Sequence, residues 1–496
     1  MVGACSNWRV AHDAEACRFP SGRWPLYCGR PAVDVHSRDY RARARQIIEE
    51  TPEVREAVNA ATQTFVDNRQ KAFADLDGTA LSRWAERVKS HALSHLADYL
   101  EEAEARLVER GAHVHWAETA SDVHQIFECI VREQGVKKAV KAKSMLSEEI
   151  GLNPFLESCG VEVFETDLGE YIIQLLGEPP SHIVGPSIHK SLDDTRVIFH
   201  ERLGTPRDAS PERLAEAARD LLRDAFLTAD LGISGGNFLV AETGSIALIE
   251  NEGNIRLSTS VPRIHIALVG IEKVLPKWAD LPTFLQVTAK SATGQPVGCF
   301  VSMIQGPGGS PGDEPDGPEE LHVVLVDNGR SRLLADPEVW EALRCVRCGA
   351  CLNICPVYRQ TGGHAYGYVY SGPIGGILGP GLVGLEETLP LPFASSACGA
   401  CADVCPVRIP IPDLLHVWRQ RAVERGLTSD VERSVLGLLT STATRPRLFG
   451  WAEKAAGLLP APVLRHLPML REWSAGREPP RLEGPTFREL WDEGIE

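Results

Sequence analysis

Thirteen cysteines occur in this 496-residue chain, and seven of them crowd between Cys345 and Pro406. The stretch opens Cys345-Val-Arg-Cys348-Gly-Ala-Cys351-Leu-Asn-Ile-Cys355-Pro356 and closes Cys398-Gly-Ala-Cys401-Ala-Asp-Val-Cys405-Pro406. Cysteines at i, i+3, i+6 and i+10 before a proline are the spacing that holds iron–sulfur clusters. A tight loop with the first three wraps three corners of one cluster. The fourth points away and serves the neighbouring cluster.

Crossing the two runs gives a definite expectation. One 4Fe–4S cluster takes Cys345, Cys348, Cys351 and Cys405; a second takes Cys355, Cys398 and Cys401. The second set is one thiolate short, because Ser395 stands where the second run should begin. That cluster then uses a non-cysteine ligand, borrows one from a partner, or is a 3Fe–4S centre. The competing reading is a pair of structural zinc knuckles, since C-x2-C pairs also bind zinc. The two Cys-Pro endings and the three-cysteine loop favour iron–sulfur.

Composition narrows the classes. The length suggests about three domains, and 43% hydrophobic residues suffice for a sizeable core. A net charge of −16 argues against a nucleic-acid footprint and a polybasic membrane surface. No apolar run of about 18 residues suggests a membrane-spanning helix. Residues 1–31 lack the charged-then-apolar order of a signal peptide, and residues 1–36 read as a poorly ordered leader or a start-site extension, against the alternative of a disulfide or metal site at Cys5, Cys17 and Cys28. Clustered thiols without such a signal fit a reducing cytoplasm. Cys129, Cys159 and Cys299 read as core residues.

The elements that must position the cysteines come before them. Residues 37–111 are helical in pattern, with Leu81, Trp84, Val88, Ala92, Leu96, Leu100, Ala103 and Leu107 on one face. Thr79 is the expected N-cap and Gly111 the stop. From 112 to 335 strands and helices alternate, which predicts an α/β domain with helices on both faces of a parallel or mixed sheet. Expected strands are His113–Ala117, Val136–Val140, Val161–Thr166, Ser181–Gly185 and Leu321–Val326. Expected helices are Ser121–Gln134, Glu148–Cys159 and Pro211–Ala229. The Asn251–Asn254 turn is expected to join antiparallel neighbours. Residues 306–320 are a Pro/Gly-rich acidic loop. Asp336-Pro337 should start a helix that leads into the cysteine-bearing domain, 336–425. Within that domain Ser371–Gly384 reads as a packed loop, and residues 426–496 read as an extended tail.

Sites in open α/β sheets lie beyond the carboxyl ends of strands. Lys141, Lys143 and Ser144 follow one predicted strand, Asp167 and Glu170 the next, and Glu242 and Thr243 a third. They are candidates for a carboxylate or phosphate ligand, against the alternative of helix caps and solvated charges. Gly232–Gly236 lacks dinucleotide spacing and reads as a turn, against the alternative of a close approach to a small acid or phosphate. His265, in an apolar run, reads as structural. His364 and Tyr366, between the cysteine runs, are candidates to tune a cluster by hydrogen bonding, or packing residues.

Several segments together resemble the lactate utilization protein B (LutB) family: Lys141–Met145, Thr166–Tyr171, Pro180–Val184, Ala241–Ser245, the cysteine region, and Gly362–Gly375 between its runs. The resemblance covers about residue 40 to the end. It implies an LUD domain of CoA-transferase-like fold followed by an α-helical ferredoxin module with the cysteine sets given above, three in the second. It also implies that LutA-like and LutC-like partners act with the chain to oxidise L-lactate to pyruvate. The expected role is an oxidoreductase subunit that relays electrons, with a small organic acid as a further ligand of the α/β domain. The alternatives are an oxidoreductase for another small acid, or a non-catalytic cluster-bearing scaffold.

Overall fold

The computed structural model describes residues 35–308, 317–457, 485 and 487–494. Cys5, Cys17, Cys28 and most of the 306–320 loop lie outside them. Four helices come first: α1 (Tyr40–Glu50), α2 (Pro52–Phe73), α3 (Gly78–Ser94) and α4 (Leu96–Glu109). The predicted apolar face is real but broken at His95. The N-cap of α3 is Asp77, which accepts from Ala80 N at 2.9 Å, not Thr79.

The α/β region follows as β1 (His113–Ala117), α5 (Ala120–Gln134), β2 (Lys138–Lys141), α6 (Met145–Glu149), α7 (Leu152–Ser158), β3 (Glu162–Glu165), α8 (Leu168–Leu176), α9 (Leu192–Leu203) and α10 (Pro211–Thr228). Then come β4 (Leu231–Ser234), β5 (Phe238–Val240), β6 (Ser245–Glu250), α11 (Asn254–Ser260), β7 (Ile264–Gly270), β8 (Val274–Leu275), α12 (Leu281–Ala292), β9 (Phe300–Ile304) and β10 (Glu320–Val326). The main sheet is parallel throughout, in the order β1-β10-β7-β4-β2-β3. A second sheet, β8-β5-β6-β9, is mixed.

Central strands of a parallel sheet are covered on both faces and so read as continuous apolar runs. All seven residues of β7 are buried. Ile264, Ile266 and Leu268 face Val123, Phe127 and Ile130 of α5. The alternate residues Ala267 and Val269 join Leu96, Leu100, Ala103 and Leu107 of α4. Helix α4 therefore covers that face of the sheet.

The remaining elements are α13 (Arg330–Leu334), α14 (Ala350–Ile354), α15 (Tyr358–Thr361), α16 (Gly372–Leu382), α17 (Ala400–Asp403) and α18 (Ile411–Glu424). A first compact unit runs to Arg419. The second, from Gln420, contains α19 (Asp430–Ala443), α20 (Pro446–Gly457) and a short helix, Phe487–Asp492. Its described residues are thus largely helical rather than an extended tail.

Other expectations need correction. Ser181–Gly185 forms no strand; its polar groups bond to the cysteine region instead. Beyond Asn251–Asn254 the chain enters α11, because the Glu250 carboxylate accepts from Ile255 N at 2.7 Å and Arg256 N at 3.1 Å and starts a helix. β6 and β7 consequently lie in different sheets, and the hairpin is one step earlier, between β5 and β6. The helix expected over Glu148–Cys159 is split at Gly151, whose φ is +63°. Asp336-Pro337 leads only into a 3-10 turn, Trp340–Arg344. Ser371–Gly384 contains α16, buried along its length with Pro373 in its first turn and Pro380 inside it; packing on every side outweighs the poor helix propensity of Gly and Pro. Cys129 and Cys159 are half-buried, and Cys299 is exposed rather than core.

Candidate iron–sulfur site and the adjoining cavity

The two cysteine runs fold into the same loop twice. In the first, Arg347 and Gly349 flank Cys348 with φ of +61° and +73°; in the second, Ala397 and Gly399 flank Cys398 with +53° and +84°. A left-handed residue on each side of the middle cysteine reverses the chain so that successive sulfurs can point inward. A non-glycine residue in this region costs about 1 kcal/mol, so its repetition in both loops marks a shared requirement. Each loop runs into a short helix, α14 or α17, which ends just before the cysteine that precedes proline. Leu352 N donates to Gly349 O and Ala402 N to Gly399 O, both at 2.9 Å.

The thiols fall into two groups by the charges they feel. Cys348 is repelled by Cys405 and Cys345, and Cys405 by Cys345. Cys355 is repelled by Cys398, and Cys401 by both. Cys351 feels Cys345, Cys348 and Cys405, but also Cys401, so the groups adjoin there. Burial pushes the thiols of Cys348 and Cys401 up to about 12 and that of Cys405 up to about 11. Cys398 is exposed, and hydrogen bonds from Ala400 N and Ser396 lower it.

The donor set fits iron–sulfur clusters. Buried thiols of raised pKa become ligands only beside a strong positive centre, which iron supplies. Among the described residues, no three of these thiols have ligand atoms within 4.8 Å of one another. Four thiolates on one zinc ion would sit about 3.8 Å apart. Backbone N–H groups reach the sulfurs as well: Arg347 N to Cys345 at 3.4 Å, Tyr358 N to Cys355 at 3.5 Å and Ile409 N to Cys405 at 3.3 Å. Such donors stabilise thiolate-bound clusters and set their potential.

A buried charge network ties the first loop to the α/β domain. Arg330 bridges Glu149 of α6 at 2.8 Å and Glu272, just after β7, at 2.6 Å. Glu272 also pairs with Arg347 at 3.3 Å. Burial would raise the Glu272 carboxyl, but Arg330 and Arg347 more than offset this and hold it at about 2. Tyr370 donates to Glu149 at 2.7 Å and lies under the Arg347 guanidinium. Lys89 donates to the Glu272 carbonyl. Burial lowers Lys89 to about 7 and, with Arg347 nearby, Lys273 to about 8, and both feel Cys345. These cations would offset the negative charge of a thiolate-ligated cluster.

The segment Pro180–Gly185 fastens the region from another side. His182 accepts at Nδ1 from Val184 N and Gly185 N, both at 3.1 Å, which leaves Nε2 protonated to donate to Asn353 Oδ1 at 3.1 Å. Tyr358 donates to Ser181 O at 2.9 Å. Gly363 packs on the same carbonyl so closely that a Cβ would fall 1.8 Å from it.

Beyond the carboxyl ends of β2, β3, β4 and β7 lies a cavity of about 390 Å³. Lys143, Ser144, Asp167, Gly235, Lys273 and Arg347 line it, and so does Cys348. Ser144 and Asp167 are at the same time N-caps of α6 and α8. Lys143 donates to Val184 O at 2.5 Å. Gly235, read from sequence as part of a turn, brings bare backbone to the wall; a Cβ there would be 2.9 Å from Ser144 Oγ. Glu252, exposed at the residue level, has its carboxyl raised by burial and by Asp167, a shift that water moderates.

Other candidates fall elsewhere. Glu170 lies behind the wall, in a buried group with Lys141, Glu165 and Glu148; burial and the two acids push its carboxyl well up. Glu242 accepts from Trp278 N at 2.7 Å and Thr243 bonds to Ser245, away from the cavity. His265 is fully buried and bonds to Ser234 at 2.8 Å, a structural role. His364 bonds to Pro179 O, and the buried Tyr366 packs edge-on to Tyr40. Sequence reasoning missed Glu149, Glu272, Lys273 and Arg330. Arg347 alone carried a local signal, its place between two cysteines.

The LUD domain family matches residues 100–326, and the 4Fe-4S dicluster domain family matches residues 341–409. Fold and site together define an iron–sulfur protein: an LUD-type α/β domain followed by a helical region whose cysteines bind iron–sulfur clusters. The chain is 39% identical to the uncharacterized electron transport protein YkgF of Escherichia coli, over 92% of this chain and 97% of that protein. It is 39% identical to lactate utilization protein B of Bacillus pumilus, over 92% and 98%, and 43% identical to that of Geobacillus thermodenitrificans, over 82% and 86%. A solved DUF162 family protein from Deinococcus radiodurans aligns with 47% of this chain and 98% of its own at 17% identity and a TM-score of 0.26. The chain belongs to the lactate utilization protein B family. Among the described residues, no helix is long and apolar enough to cross a membrane.

Proposed function

We propose that this chain is the electron-transfer subunit of an assembly that oxidises L-lactate to pyruvate with LutA-like and LutC-like partners. The observation that carries the reading is the placement of the two thiol groups. One meets the cavity at Cys348, the two adjoin at Cys351 and Cys401, and the second reaches the surface at Cys398. In this reading Cys345, Cys348, Cys351 and Cys405 hold one 4Fe–4S cluster, and Cys355, Cys398 and Cys401 hold the other. Bound clusters of this kind supply one-electron relay chemistry. Lactate oxidation releases two electrons and two protons, so two one-electron centres match its stoichiometry.

The chain's own residues set the path. Cys348 is buried and Cys351 half-buried, which limits the access of water to the inner thiols. Lys273 and Arg347 line the cavity together with Cys348, and with Lys143 they supply positive charge there for a small carboxylate. Ser144, the bare backbone at Gly235 and Asp167 also line it.

The test is anaerobic: the full chain, its partners and L-lactate are mixed and visible absorption is followed. Bleaching of the iron–sulfur bands supports the reading. Bands that stay oxidised with every component present sink it, and bleaching only by a different 2-hydroxy acid replaces lactate as the substrate.

A further inference from the structure

The second cysteine run lacks a cysteine at its first position, yet the loop there is built as though one were present. Ser395 precedes Cys398 by the same three residues that separate Cys345 from Cys348. The residue between each pair that takes a left-handed φ is Arg347 in one loop and Ala397 in the other. The correspondence reaches the side-chain atom. Cys345 Sγ accepts from the N–H two residues on, Arg347 N, at 3.4 Å; Ser395 Oγ accepts from the N–H two residues on, Ala397 N, at 3.1 Å. Ala397 has no residue-specific reason to adopt φ of +53°, so the conformation belongs to the loop's shared task.

The loop is also held from outside. Arg419 of α18 donates to Pro392 O at 2.8 Å and Ser395 O at 3.3 Å, with its guanidinium over the Phe393 ring. This fixes the backbone of Ser395.

We infer that Ser395 Oγ is the fourth protein ligand of the second cluster, bound as an alkoxide beside Cys355, Cys398 and Cys401. The inference rests on the cluster assignment proposed above. On ligation the O–H bond breaks, an oxygen–iron bond forms, and the proton leaves to solvent, which the half-exposed loop admits. No change in oxidation state is involved. A harder oxygen donor replaces one soft thiolate, and ligand identity is one of the levers on cluster potential.

The test compares anaerobically purified full-length parent, Ser395→Ala and Ser395→Cys by iron and sulfide content, EPR of the oxidised and reduced forms, and potentiometric titration. The parent is expected to hold two 4Fe–4S clusters. Ser395→Ala should lose an iron per chain and gain the oxidised 3Fe–4S signal, while Ser395→Cys keeps both clusters and shifts the midpoint potential of the second alone. A parent that already shows the 3Fe–4S signal, or a Ser395→Ala chain with unchanged iron and EPR, overturns serine ligation while leaving the two-cluster reading intact. A parent that holds zinc or no iron overturns the cluster assignment itself. Should Ser395→Ala fail to fold, Ser395→Cys decides: an unmoved potential at the second cluster refutes the ligand.

Discussion

Arg330 holds two buried carboxylates, so its loss should cost much stability. Its side chain is 1% exposed, and its partners Glu149 and Glu272 are 2% and 1% exposed. Arg330→Met fills similar volume but strands two buried carboxylates. Glu149 would keep Asn328 and Tyr370 as donors, both at 2.7 Å; Glu272 would keep the longer Arg347 contact at 3.3 Å and the attraction of Lys273 and Lys89. Breaking a buried pair by removing one partner costs about 3–5 kcal/mol. The fall of the Glu272 carboxyl from 4.5 to about 2, produced against burial by Arg330 first and then by Arg347, Lys273 and Lys89, corresponds to about 3 kcal/mol of preference for its charged form, of which Arg330 supplies a part. Against a total stability of roughly 5–15 kcal/mol, the variant should unfold at a much lower apparent urea midpoint. Anaerobic holoprotein followed by tryptophan fluorescence and cluster absorption measures this. The pH dependence has a definite sign. A carboxyl depressed in the folded state contributes stability fully present above pH 4.5 and lost as pH falls toward 2. The parent should therefore weaken across that window. The variant should already be weak at neutral pH and lose less on acidification. Arg330→Met that unfolds within 1 kcal/mol of the parent, with both clusters retained, would refute the view that this network anchors the cysteine region.

Two further outcomes follow from the geometry. Cys405→Ser should perturb the EPR signal of the cluster held by Cys345, Cys348 and Cys351 and spare the other; the reverse result breaks the crossed pairing. Gly235→Val should weaken pyruvate binding to the holoprotein at least tenfold by calorimetry, because even a Cβ there lies 2.9 Å from Ser144 Oγ; unchanged affinity would place the acid elsewhere.

The cysteine spacing was legible because cluster loops are local: three ligands lie within seven residues, and chain order fixes them. Parallel strands were legible for the same reason, each being a short apolar run between helical periods. What failed depended on distant partners. Ser181–Gly185 has the composition of a strand, yet its carbonyl and imidazole bond to Tyr358 and Asn353, over 170 residues away. α16 reads as a loop because Gly and Pro disfavour helix in water, and only its complete burial reverses that. Glu272 and Lys273 look like ordinary charges after a strand; nothing local reveals that Arg330 and Arg347 converge on them.

Arg347 shows why the cavity and the first thiol group belong to one device in this reading. It lies two residues from Cys345, with its guanidinium over Tyr370 and paired to Glu272, and it lines the cavity. Its Nη1 donates to the Cys345 carbonyl at 3.4 Å. An anion entering the cavity would compete with Glu272 for this cation and draw on Lys273 beside it. The same two cations feel Cys345, so occupancy of the cavity and the charge on the inner thiols are coupled through fixed side chains. The coupling is reciprocal: a small carboxylate that changes the potential of the inner centre must itself bind with an affinity that depends on that centre's redox state. Calorimetry with pyruvate on oxidised and on reduced holoprotein measures this directly, and equal affinities in the two states would separate the cavity from the electron path.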